Sequence, residues 1–131
     1  MKLISEIKSK AGDLHFRRWL LLSLPWFDVC IHQILRRDED KHEHNHPWWF
    51  FSLILWGGYV ESREGKIIRR GWLSPGKMSR SQYHQVIRLT GDSTWTLVIR
   101  SRFRDDNWGY NVSGEHVVHT EYRKLKNEGK L

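Results

Sequence analysis

The 131-residue sequence contains a single cysteine, Cys30, so no internal disulfide can form. No Cys-x-x-Cys pair is present, which excludes a zinc site made of thiolates. The sequence also lacks a Gly-x-Ser-x-Gly elbow, a Gly-rich phosphate-binding loop and the His-x-Asp pair that a 2-oxoglutarate oxygenase requires. The shortage of cysteine is typical of a protein of the reducing cytoplasm, and Cys30 is expected to be a small core residue.

Long hydrophobic runs are absent as well. The longest apolar run near the N-terminus, Trp19 to Leu24, is interrupted by Ser23 and followed by Pro25. It is far too short to span a bilayer, and the first residues show no signal-peptide pattern. No membrane association is therefore expected.

The formal net charge of +7 raises the question of a polyanionic partner such as nucleic acid. The basic residues are dispersed along the chain, however, and no pattern of a known nucleic-acid reader accompanies them. A soluble basic surface is the favoured interpretation, and nucleic-acid binding is the alternative.

Three histidines at every second position are the strongest chemical signal. His42, His44 and His46 precede an apolar run that ends at Gly57-Gly58. Alternate side chains of an extended strand leave the same face, so His44 and His46 are expected to stand side by side and to chelate one metal ion. A third ligand must come from a neighbouring strand, and His84, within a strand pattern, is the best candidate. His32 is the second, with the alternative of a supporting position behind a ligand.

Short apolar segments separated by turn signals predict an all-β protein, a sandwich or barrel, in one domain of 131 residues. The spacing of Leu3, Ile4 and Ile7 predicts a short helix within residues 1–13. Residues 14–24 are ambiguous between helix and strand. The segment from His116 to Tyr122 is predicted as a last strand, and residues 123–131 as a flexible basic tail.

These motifs resemble the first and second motifs of the cupin superfamily. His44-Asn45-His46 matches the His-x-His pair, Phe50 stands where the family has a Glu, and Gly57 matches the closing Gly. More closely, the chain resembles small cupin-like proteins of bacteria and phages over residues 14–122. The positions that carry this resemblance are His44 to Trp48, Gly57 to Glu61, His84, Thr96 to Val98 and Trp108 to Tyr110.

The resemblance implies a double-stranded β-helix, or jelly-roll barrel, with His44, His46 and His84 around a divalent metal ion. Fe(II) is the favoured metal, with zinc, nickel or manganese as alternatives. With Phe50 in place of the Glu, a fourth ligand would have to come from elsewhere, and Glu61, Glu43 and Asp40 are the nearby carboxylates.

The implied function is a non-haem metal-dependent dioxygenase acting on a small molecule. The alternatives are a metal-dependent sugar isomerase and a non-enzymatic module that binds nucleic acid or a protein on a cupin scaffold. A homodimer is a further expectation. Phe50 and Trp48 share the phase of His44 and His46 and are predicted to line the substrate pocket. Arg88, four residues after His84, is predicted to anchor a substrate carboxylate or phosphate.

Overall fold

The computed structural model describes all 131 residues and consists almost entirely of β-strands. The chain forms eleven strands and one helix in the order β1 (Lys2–Lys8), β2 (Leu14–Ser23), β3 (Phe27–Ile34), β4 (Phe50–Trp56), β5 (Tyr59–Arg63), β6 (Lys66–Arg70), β7 (Pro75–Met78), β8 (His84–Leu89), β9 (Thr94–Ser101), β10 (Gly109–Val112), β11 (Glu115–Val118) and α1 (His119–Asn127). The all-β prediction is confirmed.

The strands form antiparallel sheets that face one another. The larger sheet has six strands in the order β1-β2-β3-β9-β4-β7, and a three-stranded sheet has the order β6-β5-β8. A separate hairpin pairs β10 with β11. The strand β9 lies between β3 and β4, so neighbours in the sheet come from distant parts of the chain. This arrangement is the predicted jelly roll.

One face of each central strand is directed to the interior. The cavity there is lined by alternate residues, Phe16 and Arg18, His32 and Ile34, Phe50 and Ser52, and Thr96 and Val98. This period of two is the pleat of the strands, and it explains why β4 alternates between buried and exposed positions. Ile54, Tyr59 and Val86 form a buried cluster at one end of this interior.

Arg70 joins the two sheets from within. Its side chain is almost fully buried and donates to the Ser52 hydroxyl at 2.9 Å and to the Tyr59 hydroxyl at 2.5 Å. It also donates to the backbone carbonyls of Ser52 and Ser74. The two terminal nitrogens of this buried cation therefore reach four acceptors, none of them a carboxylate, while its Nε has no partner.

The predicted N-terminal helix is wrong, because residues 2–8 form the edge strand β1. This strand pairs antiparallel with β2, with Ile7 opposite Phe16. Leu3 and Ile7 remain about half exposed, so the apolar spacing that suggested a helix does not mark a buried helical face. Backbone pairing along the edge of an existing sheet outweighs a weak local helical pattern.

The C-terminal prediction is confirmed only for residues 116–118, which lie in β11, because residues 119–127 form the helix α1 rather than the end of a strand and a tail. Tyr122 anchors this helix: its ring is buried, stacks on Tyr110 at 3.7 Å between centroids, and its hydroxyl lies 2.8 Å from His42 Nδ1. Lys126 forms an ion pair with Asp40. With nine residues, α1 falls well short of the length needed to cross a bilayer, and the structure has no other helix.

Candidate metal centre

His44, His46 and His84 converge because the segment before β4 runs beside the start of β8. The backbone N–H of His44 donates to the His84 carbonyl at 2.8 Å, and the His84 N–H donates back at 2.9 Å. His44 also forms an isolated bridge with Tyr110 of β10. Two segments from distant parts of the chain are thereby fixed side by side.

The three imidazole rings surround one point. Their centroids are separated by 5.0 Å between His44 and His46, 5.0 Å between His44 and His84, and 4.9 Å between His46 and His84. One ring nitrogen from each lies within 4.8 Å of the others. The predicted triplet therefore does come together, in a geometry that suits simultaneous contact with a small cation.

Burial keeps the imidazoles of His44 and His46 neutral. Removal from water is the main cause that lowers the pKa of His44 to about 4, against a smaller opposing effect of Asp38. Burial likewise places the pKa of His46 well below its usual value, with the nearby His84 and His44 as further causes. Neutral imidazole is the form that binds a metal, so His44 and His46 need no deprotonation at neutral pH.

Glu61 orients His84. The carboxylate is completely buried, and its Oε2 lies 2.8 Å from His84 Nδ1, while Arg63 approaches Oε1 at 2.9 Å. Burial by itself raises the pKa of Glu61, but the hydrogen bond from His84 and the charge of Arg63 outweigh it and hold that pKa below its usual range. With the proton on Nδ1, the Nε2 lone pair of His84 is directed toward His46, whose Nε2 is 3.4 Å away.

None of the three carboxylates considered for a fourth ligand joins the cluster. Glu61 lies behind His84, Glu43 accepts hydrogen bonds from the Ser62 hydroxyl and the Gly65 N–H, and Asp40 accepts from Tyr110. Phe50 occupies the remaining side, with its ring centroid 4.9 Å from that of His46. The donor set is three imidazoles, a set that fits Fe(II), Zn(II), Ni(II) or Mn(II) and leaves coordination positions open.

The cluster opens onto a cavity of about 150 Å³. Phe50 and Trp48 line it, as their phase predicts, together with Tyr59, Val86 and Val98. A second cavity of about 440 Å³ shares Arg18, His44, His46 and Trp48 with the first and extends toward Tyr110 and Arg123. The walls are mainly apolar around a small polar centre, as in many small-molecule sites.

Arg88 does not lie in this cavity, contrary to the prediction. Val60 pairs with Arg88 and Glu61 with Val86, so Ile87 is an extra residue in β8. This β-bulge reverses the phase of the strand: Val86 is buried inside, and Arg88 is exposed. The prediction placed Arg88 on the same face as His84 because the two residues are four positions apart. It fails because it assumes a strand without a bulge.

Arg18 and His15 line the cavity, although no motif indicated them. Both belong to β2, in the segment that was ambiguous between helix and strand. The pairing of Arg18 with His32 assigns Arg18 to the same face of the sheet as the cavity residue His32, whereas His15 has the opposite phase in β2 and is not identified in this way. His32 lines the cavity too, but its hydrogen bond is with Arg18 and not with one of the three clustered histidines.

The structure is similar to solved cupin proteins. A cupin 2 conserved barrel domain protein from Rhodopseudomonas palustris matches with a TM-score of 0.64 and 14% identity, over 98% of this chain and 86% of that one. The polyketide cyclase RemF from Streptomyces resistomycificus has a TM-score of 0.62 and 14% identity, over 89% and 84%. FeII HppE has a TM-score of 0.59 and 13% identity, over 73% of this chain and 55% of that one.

No protein-family model and no curated protein sequence matches the chain. At 13–14% identity these neighbours establish the architecture. Together with the strand order and the six-stranded and three-stranded sheets, they confirm the fold that the motifs predicted. The chain therefore has the fold of the cupin superfamily.

Proposed function

We propose that this protein binds a divalent metal ion through His44, His46 and His84 and uses it in an enzymatic reaction on a small molecule. The observation that carries the proposal is the convergence of the three ring nitrogens within 4.8 Å at the wall of a cavity. Three histidines with open positions are the ligand pattern of a reactive site, since structural zinc sites normally use four protein ligands.

The protein residues have separate roles in this proposal. His44 and His46 are held neutral by burial, and Glu61 fixes the ring orientation of His84. Phe50 and Trp48 exclude water from one side of the cavity. A divalent ion bound there would supply Lewis-acid chemistry or, as ferrous iron, the binding of O₂.

A metal-dependent dioxygenase with Fe(II) is the favoured reaction class. The three-histidine set without a carboxylate suits iron, and one structural neighbour is named as FeII HppE. A metal-dependent sugar isomerase is the second candidate, and it requires a general base. Asp38 is a carboxylate that lines the cavity, and its Oδ2 accepts the Val86 N–H at 2.7 Å.

The test is elemental analysis of the purified protein beside a His44→Ala/His46→Ala variant, after anaerobic reconstitution with ferrous iron. We expect near-stoichiometric metal in the parent and none in the folded variant. His116→Ala is the matched control, because His116 is exposed and lies on β11 outside the cluster. Oxygen consumption by the iron-loaded parent with candidate substrates then tests the oxygenase.

A parent protein that takes up no metal, or a double variant that retains it, would contradict the proposal. In that case the non-enzymatic alternative gains support if the protein binds DNA in a salt-sensitive manner that a chelator does not affect. Circular dichroism of the variants separates loss of ligands from loss of fold.

A further inference from the structure

The guanidinium of Arg18 is placed in the cavity without a protein counterion. It is partly buried on β2 and lines the same cavity as His44 and His46. Its Nε donates to His32 Nε2 at 2.9 Å, and this is its one hydrogen bond to the protein. None of the ion pairs in the structure includes Arg18, so its two terminal nitrogens have no carboxylate partner.

Arg70, the other arginine of the interior, differs from Arg18 in the number of its hydrogen-bond partners. Arg70 directs its two terminal nitrogens at four oxygen acceptors of the protein, and only its Nε lacks a partner. The terminal nitrogens of Arg18 are not fully buried, so a ligand in the cavity can supply acceptors for them. The two side chains differ in that the terminal nitrogens of Arg18 have no acceptor within the protein and are available to one from outside it.

Two further arginines increase the positive potential at this place. The guanidinium carbons of Arg100, Arg18 and Arg104 lie 4.5, 5.3 and 5.4 Å from the ring centroid of Trp48. Arg100 approaches Asp28 at 3.7 Å, and Arg104 pairs with Asp106 at 2.8 Å. Arg18 is therefore the member of the group whose charge is not compensated by a neighbouring carboxylate.

His32 positions this guanidinium. Because Arg18 donates to His32 Nε2, the imidazole must be neutral with its proton on Nδ1. Burial, followed by the charges of Arg18 and Arg100, places the pKa of His32 well below its usual value, in agreement with that role. The ring of Phe16 packs edge-on against His32 at 4.9 Å and restrains its orientation.

We infer that the cavity takes a small organic carboxylate, with the carboxylate on the terminal nitrogens of Arg18 and the rest of the molecule against Trp48 and Phe50, facing the histidine cluster. The planar guanidinium can hold both carboxylate oxygens at once. A cavity of about 150 Å³ suits a small organic ligand. The inference rests on the proposed function only for the part of the ligand that faces the metal ligands.

The experiment measures binding of matched pairs of probes, acetate with acetamide, propionate with propionamide and benzoate with benzamide, by calorimetry and by NMR. Each pair has nearly the same shape and differs in charge. Both the Zn(II)-loaded and the metal-free protein are titrated, and the metal content of every sample is measured. We expect at least one carboxylate to bind at least tenfold more tightly than its amide.

Arg18→Met should abolish that preference while it retains the metal, and Arg18→Lys should restore part of it. The matched control is Arg88→Met, since Arg88 is an exposed arginine outside the cavity. In the parent, the Nε–H resonance of Arg18 should shift on addition of the carboxylate and not of the amide. This measurement needs no variant and remains valid if Arg18→Met is poorly folded.

Equal binding of carboxylates and amides by the parent, or a preference that survives in folded Arg18→Met, would overturn the inference. A failure to bind metal would overturn the proposed function instead. The two are distinguishable because the carboxylate preference is also measured in the metal-free protein.

Discussion

The side-chain amide oxygen of Asn45 accepts a hydrogen bond from the backbone N–H of Gly109 at 2.7 Å, across 64 positions of sequence. The Asn45 N–H in turn donates to the Gly109 carbonyl at 3.0 Å. Asn45 lies between His44 and His46, so this pair of bonds fixes the backbone that carries two of the three histidines. The Trp-Gly-Tyr segment thus supports the cluster without contributing a ligand.

Gly109→Ala should destabilise the protein strongly. A Cβ at this position would lie 2.0 Å from the Val117 carbonyl oxygen, which is far inside van der Waals contact. The strand β10 would have to move away from β11 and from Asn45, and we expect a loss of about 3 kcal/mol in the free energy of unfolding. Urea denaturation measures it.

Gly91→Ala is the control for that substitution, because a Cβ there meets no atom within 4 Å. Its stability should stay within about 0.5 kcal/mol of the parent. Equal stability of the two variants would show that the close contact between β10 and β11 is not required.

Glu61→Gln should weaken metal binding about 10- to 100-fold without removing a ligand. The substitution keeps an oxygen near His84 Nδ1 but removes the charge that holds the proton on that nitrogen. Competition with a chromophoric chelator measures the dissociation constant. Glu115→Gln, at an exposed position of β11, should leave it unchanged. An unaltered affinity in Glu61→Gln would mean that the Glu61 contact does not tune His84.

Phe50→Glu should tighten metal binding, most of all for Mn(II), because it places a carboxylate beside His46 and His84. The metal-free variant should be less stable than the parent, since its carboxylate is then unpaired in an apolar wall. Thermal denaturation with and without Mn(II) measures both effects. Phe50→Leu changes the side-chain volume without adding charge, so Mn(II) should stabilise it no more than it stabilises the parent. A Phe50→Glu variant whose stability responds to Mn(II) in the same way as Phe50→Leu would contradict the prediction.

The metal-free protein should lose stability as the pH falls from about 6.5 toward about 4. The folded-state pKa values of His44, His46 and His32 are lowered by burial, to about 4 for His44. Within this window the unfolded chain therefore binds more protons than the folded one, so stability rises with pH. Each such histidine contributes at most about 1.4 kcal/mol per pH unit.

Urea denaturation at pH 7, 6 and 5 measures this slope. Glu61 and Asp40 have lowered pKa values, so their loss of charge falls mainly below this range. His46→Asn should reduce the slope, because one proton fewer is taken up on unfolding. A stability that is constant or that increases on acidification would contradict the assignment of these histidines as neutral in the folded protein.

The residues predicted correctly are those whose position follows from local alternation. His44, His46, Trp48 and Phe50 are spaced two apart and all line the cavity, as a single phase predicts, although the chain bends at Pro47 and Trp48 and β4 begins only at Phe50. Strand patterns were equally clear in β4, β8 and β9, where β-branched and aromatic residues alternate or cluster.

The failures occurred where a distant contact decides the local structure. β1 is a strand because β2 offers it an edge, and α1 is a helix anchored by Tyr122 on Tyr110. The bulge at Ile87 turns Arg88 outward, and only the pairing of β5 with β8 reveals it. The pairing of β2 with β3 is also what brings Arg18 beside His32.

The sequence by itself determined the β-rich fold, the histidine pair and the apolar walls of the cavity, because a period of two is a property of any extended chain. Only the tertiary structure decided which arginine enters the cavity, which carboxylate contacts His84 and how the termini fold. Those outcomes depend on strand register and on contacts between residues far apart in sequence, and the energy of such contacts exceeds the weak local preferences that a sequence pattern expresses.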